Sequence, residues 1–82
     1  ASEMSGEERL AMIEGMVERL GQRLNSEGGP PEDWARLIRS LTVLGRIKQA
    51  QAILFEAQAA FKEHKEGLTL INQTAARIGL IK

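Results

Sequence analysis

Few side chains in this sequence stand at spacings that could do covalent chemistry. The single histidine, His64, lies among Lys62, Glu63, Lys65 and Glu66. A general base needs an orienting partner and a suitable pocket; this charged neighbourhood implies neither and suits a solvated helix end. A metal site needs several converging ligands, and one histidine with scattered carboxylates does not supply them. Glu14 and Glu18 stand one helical turn apart, the spacing of an acidic pair on a solvated or salt-bridged face. Gly28, Gly29 and Pro30 lack the following Lys-Ser/Thr of a phosphate loop and therefore mark a turn. With no cysteine there is no disulfide framework, thiolate metal site or thiol nucleophile. The residues thus carry no enzyme constellation and imply no cofactor and no bound metal. What remains is recognition. Arg36 and Arg39 can offer charge-assisted hydrogen bonds to a carboxylate, while Met12 and Met16 suit either adaptable apolar contact or the capping of a core.

Any such residues must be positioned by a small scaffold. The chain has 82 residues, 43% of them hydrophobic, which fits one folded domain near the size where a single core just outweighs chain entropy. Lys and Arg number 11, as do Asp and Glu, so the net charge is zero; that argues against binding nucleic acid by bulk charge. Neutrality hides a division. Residues 1–33 hold eight acidic against three basic residues, and residues 34–82 hold eight basic against three acidic. Two readings stay open: mutual attraction between solvated helix faces, or a basic half that receives an acidic or carboxylate-bearing partner. No apolar run reaches the ~20 residues of a membrane span, and nothing resembles a signal peptide. A chain beginning at Ala1 without an initiator Met reads as an excised fragment or a processed product.

Four segments have helical periodicity and none has strand alternation. The first follows Ser5 and Glu8, spaced as a capping box, and its stripe is Leu10, Ile13, Val17, Leu20 and Leu24. The second opens on Pro30-Pro31 with Glu32 and Asp33 in its first turn; its stripe is Trp34, Leu37, Ile38, Leu41 and Leu44, and Gly45 stops it. The third places Ile47, Ala50, Leu54, Ala57 and Phe61 on one seam, flanked by Ile53 and Ala60 on one side and Phe55 on the other. So wide an apolar sector predicts cover from two sides, with Lys62, His64 and Lys65 in the last turn. The fourth, after Glu66-Gly67, carries Leu68, Ile71, Ala75 and Ile78, with Gly79 as C-cap. Leu80-Ile81 then forms an apolar tail that packs back or marks where the natural chain continued. Short connections make consecutive helices antiparallel.

The stretch PEDWARLIRSLTVLGRIKQAQAILFEAQ resembles a tetratricopeptide repeat, a helix-turn-helix unit of about 34 residues. Trp34 matches the aromatic near the start of the repeat's first helix, with Leu37 and Leu41 at the expected spacings. Gly45 falls at the turn, Ala50 and Ala57 are the small residues of the second helix, and Leu54 is its bulky apolar one. Ile38 stands where the repeat has Gly or Ala, Leu41 replaces an aromatic, and Lys62 occupies the place of the terminal Pro. The predicted fold is therefore all-α: about four antiparallel helices in a short, right-handed superhelical array like that of tetratricopeptide repeats. The alternative is a generic four-helix bundle with a coincidental Trp. The expected layout is a flexible segment over 1–6 and one domain over 7–80. Within it a complete repeat spans about 31–64, flanked by half-repeat helices over about 7–26 and 67–79, which act as caps.

In such arrays the first helices of the repeats line the concave surface. The face of the second helix opposite Trp34, Leu37 and Leu41 shows Arg36, Arg39 and Val43, with Ala35 and Thr42 on its flank. Thr69, Gln73 and Ala76 take comparable positions on the fourth helix. These eight residues are the candidate peptide-binding set: Arg39, and secondarily Arg36, for a carboxylate, and Ala35, Val43 and Ala76 leaving room for an apolar helix face. Ordinary solubilising surface is the competing reading of the arginines. The open edges, Met12 and Met16 at one end and Leu80 and Ile81 at the other, could instead drive weak self-association.

The run MIEGMVERLGQRL, a Gly/Pro loop, WARLIRSLTVLGRIKQAQ and a helix ending ARIGL resembles the periplasmic repeat domain of the CcmI/CycH cytochrome c maturation family. The most specific pieces are GMVERL at Gly15 to Leu20, and Trp34, Leu37, Arg39 and Ser40 followed by Val43 to Gly45. The resemblance covers roughly residues 10–80. It implies the soluble periplasmic part of a protein anchored in the inner membrane, a chaperone-like module without catalytic activity. Its implied partners are apocytochrome c, captured through the C-terminal helix for haem ligation, and other haem-ligation components. It gives no membrane contact to this segment. The thiols and haem chemistry then belong to partners, and Met12 and Met16 cover the core rather than ligate haem. A generic adaptor or oligomerisation repeat with an unknown protein partner is the alternative.

Overall fold

The computed structural model describes residues 5–81. It consists of α1 (Gly6–Glu27), α2 (Pro31–Val43), α3 (Ile47–Ala60) and α4 (Lys65–Arg77), with no strand among the described residues. The chain is all-α. Most of the segment expected over 1–6 lies outside the described residues, although Ser5 is seen capping α1. Its Oγ accepts from the Glu8 backbone N–H at 3.1 Å, while Glu7 and Glu8 place negative charge at the positive helix end.

Glycine sets two of the helix ends in the same way. Gly45 (φ 78°) and Gly79 (φ 83°) adopt left-handed backbone, which L-residues with a Cβ disfavour. After α2, Gly45 N–H donates to Thr42 O at 3.0 Å and Arg46 N–H to Leu41 O at 2.9 Å. After α4, Gly79 N–H donates to Ala76 O at 3.3 Å and Leu80 N–H to Ala75 O at 2.9 Å. Both are Schellman closures. The second one turns Leu80 and Ile81 back onto the core.

One boundary departs from the sequence expectation. Lys62, His64 and Lys65 do not form the last turn of α3, which stops at Ala60. His64 precedes α4, Lys65 opens it, and the helix runs straight through Gly67. The reason is packing. A Cβ on Gly67 would lie 3.0 Å from Phe61 Cδ1 and 3.3 Å from Pro31 Cγ, so glycine lets the first turn of α4 close against the starts of α2 and the α3–α4 connection. Tertiary contact here overrides glycine's reluctance to be helical.

α2 is the hub: it packs against α1, α3 and α4, and α3 also packs against α4. The core holds Trp34, Leu37, Ile38 and Leu41 from α2, Ala50, Leu54 and Ala57 from α3, Ile71 and Ala75 from α4, and Val17, Leu20 and Leu24 from α1. Leu37, Ile38 and Ile71 are the largest side chains fully withdrawn from water. Two expected stripes are only partly covered. The α1 stripe is buried only from Val17 onward, leaving Leu10 and Met12 exposed, because the 22-residue α1 outruns its 13-residue partner α2. Helix α3 is covered by both α2 and α4, but one flank of its wide apolar sector stays open: Phe55 is 76% exposed. Helices α1 and α3 keep their backbones apart. They are linked at one end by Arg46, whose guanidinium meets the Glu14 carboxylate at 2.7 Å.

Candidate functional site

Because α2 is shared by all the other helices, its buried arc is broad and its exposed arc narrow. Trp34, Ala35, Leu37, Ile38 and Leu41 are buried, and Glu32, Arg36, Arg39 and Val43 are exposed along the free face. Val43 is 67% exposed, an aliphatic side chain held in water beside two guanidinium groups. Among the described residues two ion pairs form, Arg23–Asp33 and Arg46–Glu14; Arg36 and Arg39 belong to neither. On α4, Thr69, Gln73 and Ala76 are exposed.

The eight expected binding residues therefore divide. Arg36, Arg39, Val43, Thr69, Gln73 and Ala76 reach solvent, whereas Ala35 is 3% exposed and Thr42 is half-buried. The threonines are already engaged. Thr42 Oγ1 donates to Ile38 O at 2.9 Å and Thr69 Oγ1 to Lys65 O at 2.8 Å, each bonding back to its own helix. Thr69 and Gln73 border a shallow depression on α4, of about 320 Å³, with Lys65, Glu66 and Leu70. Arg36 instead lines a cleft of about 330 Å³ between α1 and α2 with Met16, Arg19, Leu20 and Arg23. No described cavity joins the α2 and α4 members in one pocket. An extended partner lying across both helices could touch both sets; a small molecule could not.

The α1–α2 cleft went unnoticed in the sequence. Its signal was present in retrospect: Arg19 and Arg23 stand one turn apart on the same side of α1 as Met16, a basic and apolar strip. Arg36 brings a third guanidinium to it, and Arg23 is partly neutralised by Asp33. The chemistry on offer is recognition of carboxylates beside apolar surface. His64 lies exposed between α3 and α4, its ring edge-on to Phe61 with centroids 5.8 Å apart. Among the described residues no three His, Asp or Glu side chains converge as metal ligands, and no helix is long and apolar enough to cross a membrane.

Two curated proteins named cytochrome c-type biogenesis protein CycH are similar to this chain. The one from Bradyrhizobium diazoefficiens is 35% identical over 80 residues, 98% of this chain and 22% of that protein. The one from Rhizobium meliloti is 41% identical over 61 residues, 74% of this chain and 16% of that protein. The chain thus spans about a fifth of the length of the curated relatives it matches. No protein-family model matches it, and no solved structure matches it significantly.

Proposed function

We propose that this chain, similar over most of its length to two CycH proteins, is a CcmI/CycH-type domain and acts in cytochrome c biogenesis as a non-catalytic, periplasmic peptide-binding module. In this reading it captures apocytochrome c, through that protein's C-terminal helix, and holds it for haem ligation. The names of the relatives point to assembly rather than catalysis. The observation that carries the reading is the free face of α2. Arg36 and Arg39 stand there without an ion-pair partner beside the exposed Val43, next to the polar outer face of α4. A helical peptide with a carboxylate and an apolar face complements that surface.

We read α1 to α4 as second, first, second and first helices of tetratricopeptide-like repeats. Support comes from α2, which packs on α3 as within one repeat and on α4 as between neighbouring first helices. Two first-type helices give a short groove, so the partner is held weakly by this domain alone.

The test is a titration with peptides from the C-terminal helix of a class I apocytochrome c. Saturable binding, weakened about ten-fold or more by Arg39→Glu, is expected. Absence of binding at millimolar peptide, or indifference to Arg39→Glu, overturns the assignment. The exposure of Met12 and Phe55 favours one second reading, an oligomerisation domain, which a size measurement over a concentration series separates from the first.

A further inference from the structure

The face of the molecule away from Arg39 carries a different feature. The backbones of α1 and α3 do not approach each other, and a furrow lined by both runs between them with α2 as its floor. One lobe, of about 500 Å³, is lined by Val17, Leu37, Leu41 and Ile53. A second lobe, of about 300 Å³, continues from it past Leu24 and Trp34. Gly21, Gln22, Leu37 and Ile53 border both, so the two lobes form one trough. Its walls are low where Gly21 faces Ala52, and a Cβ built on Gly21 meets nothing within 4 Å.

The rims of the trough fix the charge of what fits. Glu18 stands on the α1 rim and Glu56 on the α3 rim. Neither belongs to an ion pair among the described residues. The one guanidinium in the lining, Arg46, is matched by Glu14. The trough is therefore apolar at its base and acidic on both edges. An α-helix seats its side chains in such a trough as a ridge in a groove. Along the ~21 Å of the 14-residue α3, about four turns of a partner helix find room.

We propose that the α1–α3 trough is a second binding site, for an amphipathic helix whose row of bulky aliphatic residues is flanked on both sides by Lys or Arg. The site is independent of the α2–α4 reading, and the two differ in sign. The arginine face receives carboxylates, and this trough receives cations.

Trp34, the only Trp in the chain, lies at the base of the trough and reports on its filling. The probe is a synthetic Trp-free helical peptide of about 14 residues, with a leucine row at three- and four-residue spacing and lysines on both flanks. The control replaces every lysine by glutamate. Titration is expected to give a saturable change in Trp34 emission with the lysine peptide, and a response at least about ten-fold weaker with the glutamate peptide. Gly21→Leu and, on the opposite rim, Ala52→Leu fill the trough from exposed or open positions and should abolish the response while far-UV dichroism stays unchanged. Glu18→Lys combined with Glu56→Lys should reverse the preference between the peptides. Arg39→Glu should leave it intact, which separates this site from the one on the arginine face. Equal response to both peptides, or lysine-peptide binding that survives both leucine substitutions, overturns the proposal. Concentration-dependent self-association that the leucine substitutions abolish also overturns it, by assigning the trough to a second copy of the chain.

Discussion

Gly45 and Gly21 show how differently the same residue type serves this chain. Gly45 holds φ 78° at the end of α2, where the Schellman closure needs a left-handed residue; replacing it by Ala should cost about 1 kcal/mol. Gly21 sits mid-helix in α1 with open space around its missing side chain. Gly21→Ala should therefore raise stability by about 0.5–1 kcal/mol through helix propensity and a less flexible unfolded chain. Urea denaturation of the two variants checks both signs. If Gly45→Ala proves neutral, its turn does not govern the α2–α3 connection. The role of Gly45 was legible in the sequence because a cap is a local device of a few residues. The role of Gly67 was not. It reads as a helix boundary, yet lies inside α4, closed against Phe61 and Pro31, and Pro31 belongs to a distant part of the chain.

The same distinction operates at the scale of the helices. Periodicity located four helices and their core seams because each seam is written along one element: Trp34, Leu37 and Leu41 on α2, and Ala50, Leu54 and Ala57 on α3, are all buried. How many neighbours a helix acquires is not written on that helix. Ala35 looked like the flank of an open face, but α4 packs along α2 and widens its buried arc. Phe55 looked like half of a doubly covered helix, but no element lies over it. The trough between α1 and α3 left no periodic trace, since it arises between two helices whose backbones do not approach each other. Helix α1 is the least supported element. Its buried residues begin at Val17, and Leu10 and Met12 project into solvent. Few buried contacts mean low local stability, so backbone amides of residues 10–14 should exchange with solvent faster than those at the centres of α2, α3 and α4. Native-state hydrogen exchange measures this directly, and protection in the first turns of α1 equal to that of α2 would show an unrecognised contact there. The Glu14–Arg46 pair should add little to the docking of α1. It is well exposed on both sides, and Glu14→Gln should change stability by less than about 1 kcal/mol, with a smaller effect still at high salt.

For the molecule as a whole, the radius of gyration of 13.2 Å exceeds the roughly 12 Å of a compact chain of this length, in keeping with an array drawn out along its 46 Å axis and with α1 overreaching. Such a shape concentrates the burden of folding on α2, because each other helix buries its apolar side against it. Ile38 is the sharpest probe of that arrangement. By the repeat pattern it occupies a position where Gly or Ala is usual, so Ile38→Ala ought to be harmless. By the structure it is 0% exposed at the helix that all others share. Removing its side chain should leave a cavity and cost about 2–4 kcal/mol, a large fraction of the roughly 4–12 kcal/mol available to a domain of this size. The loss should also be global. With α2 loosened, α1, α3 and α4 lose their common support together, so thermal unfolding followed by far-UV dichroism and by Trp34 fluorescence should shift to lower temperature in coincident transitions. A neutral Ile38→Ala would mean that the repeat pattern outranks the packing seen here. Transitions that separate between the two probes would mean that the helices form more than one cooperative unit. Either result would also bear on binding, because both the arginine face and the Trp34 trough are surfaces of α2, and a partner on one side stabilises the scaffold that presents the other.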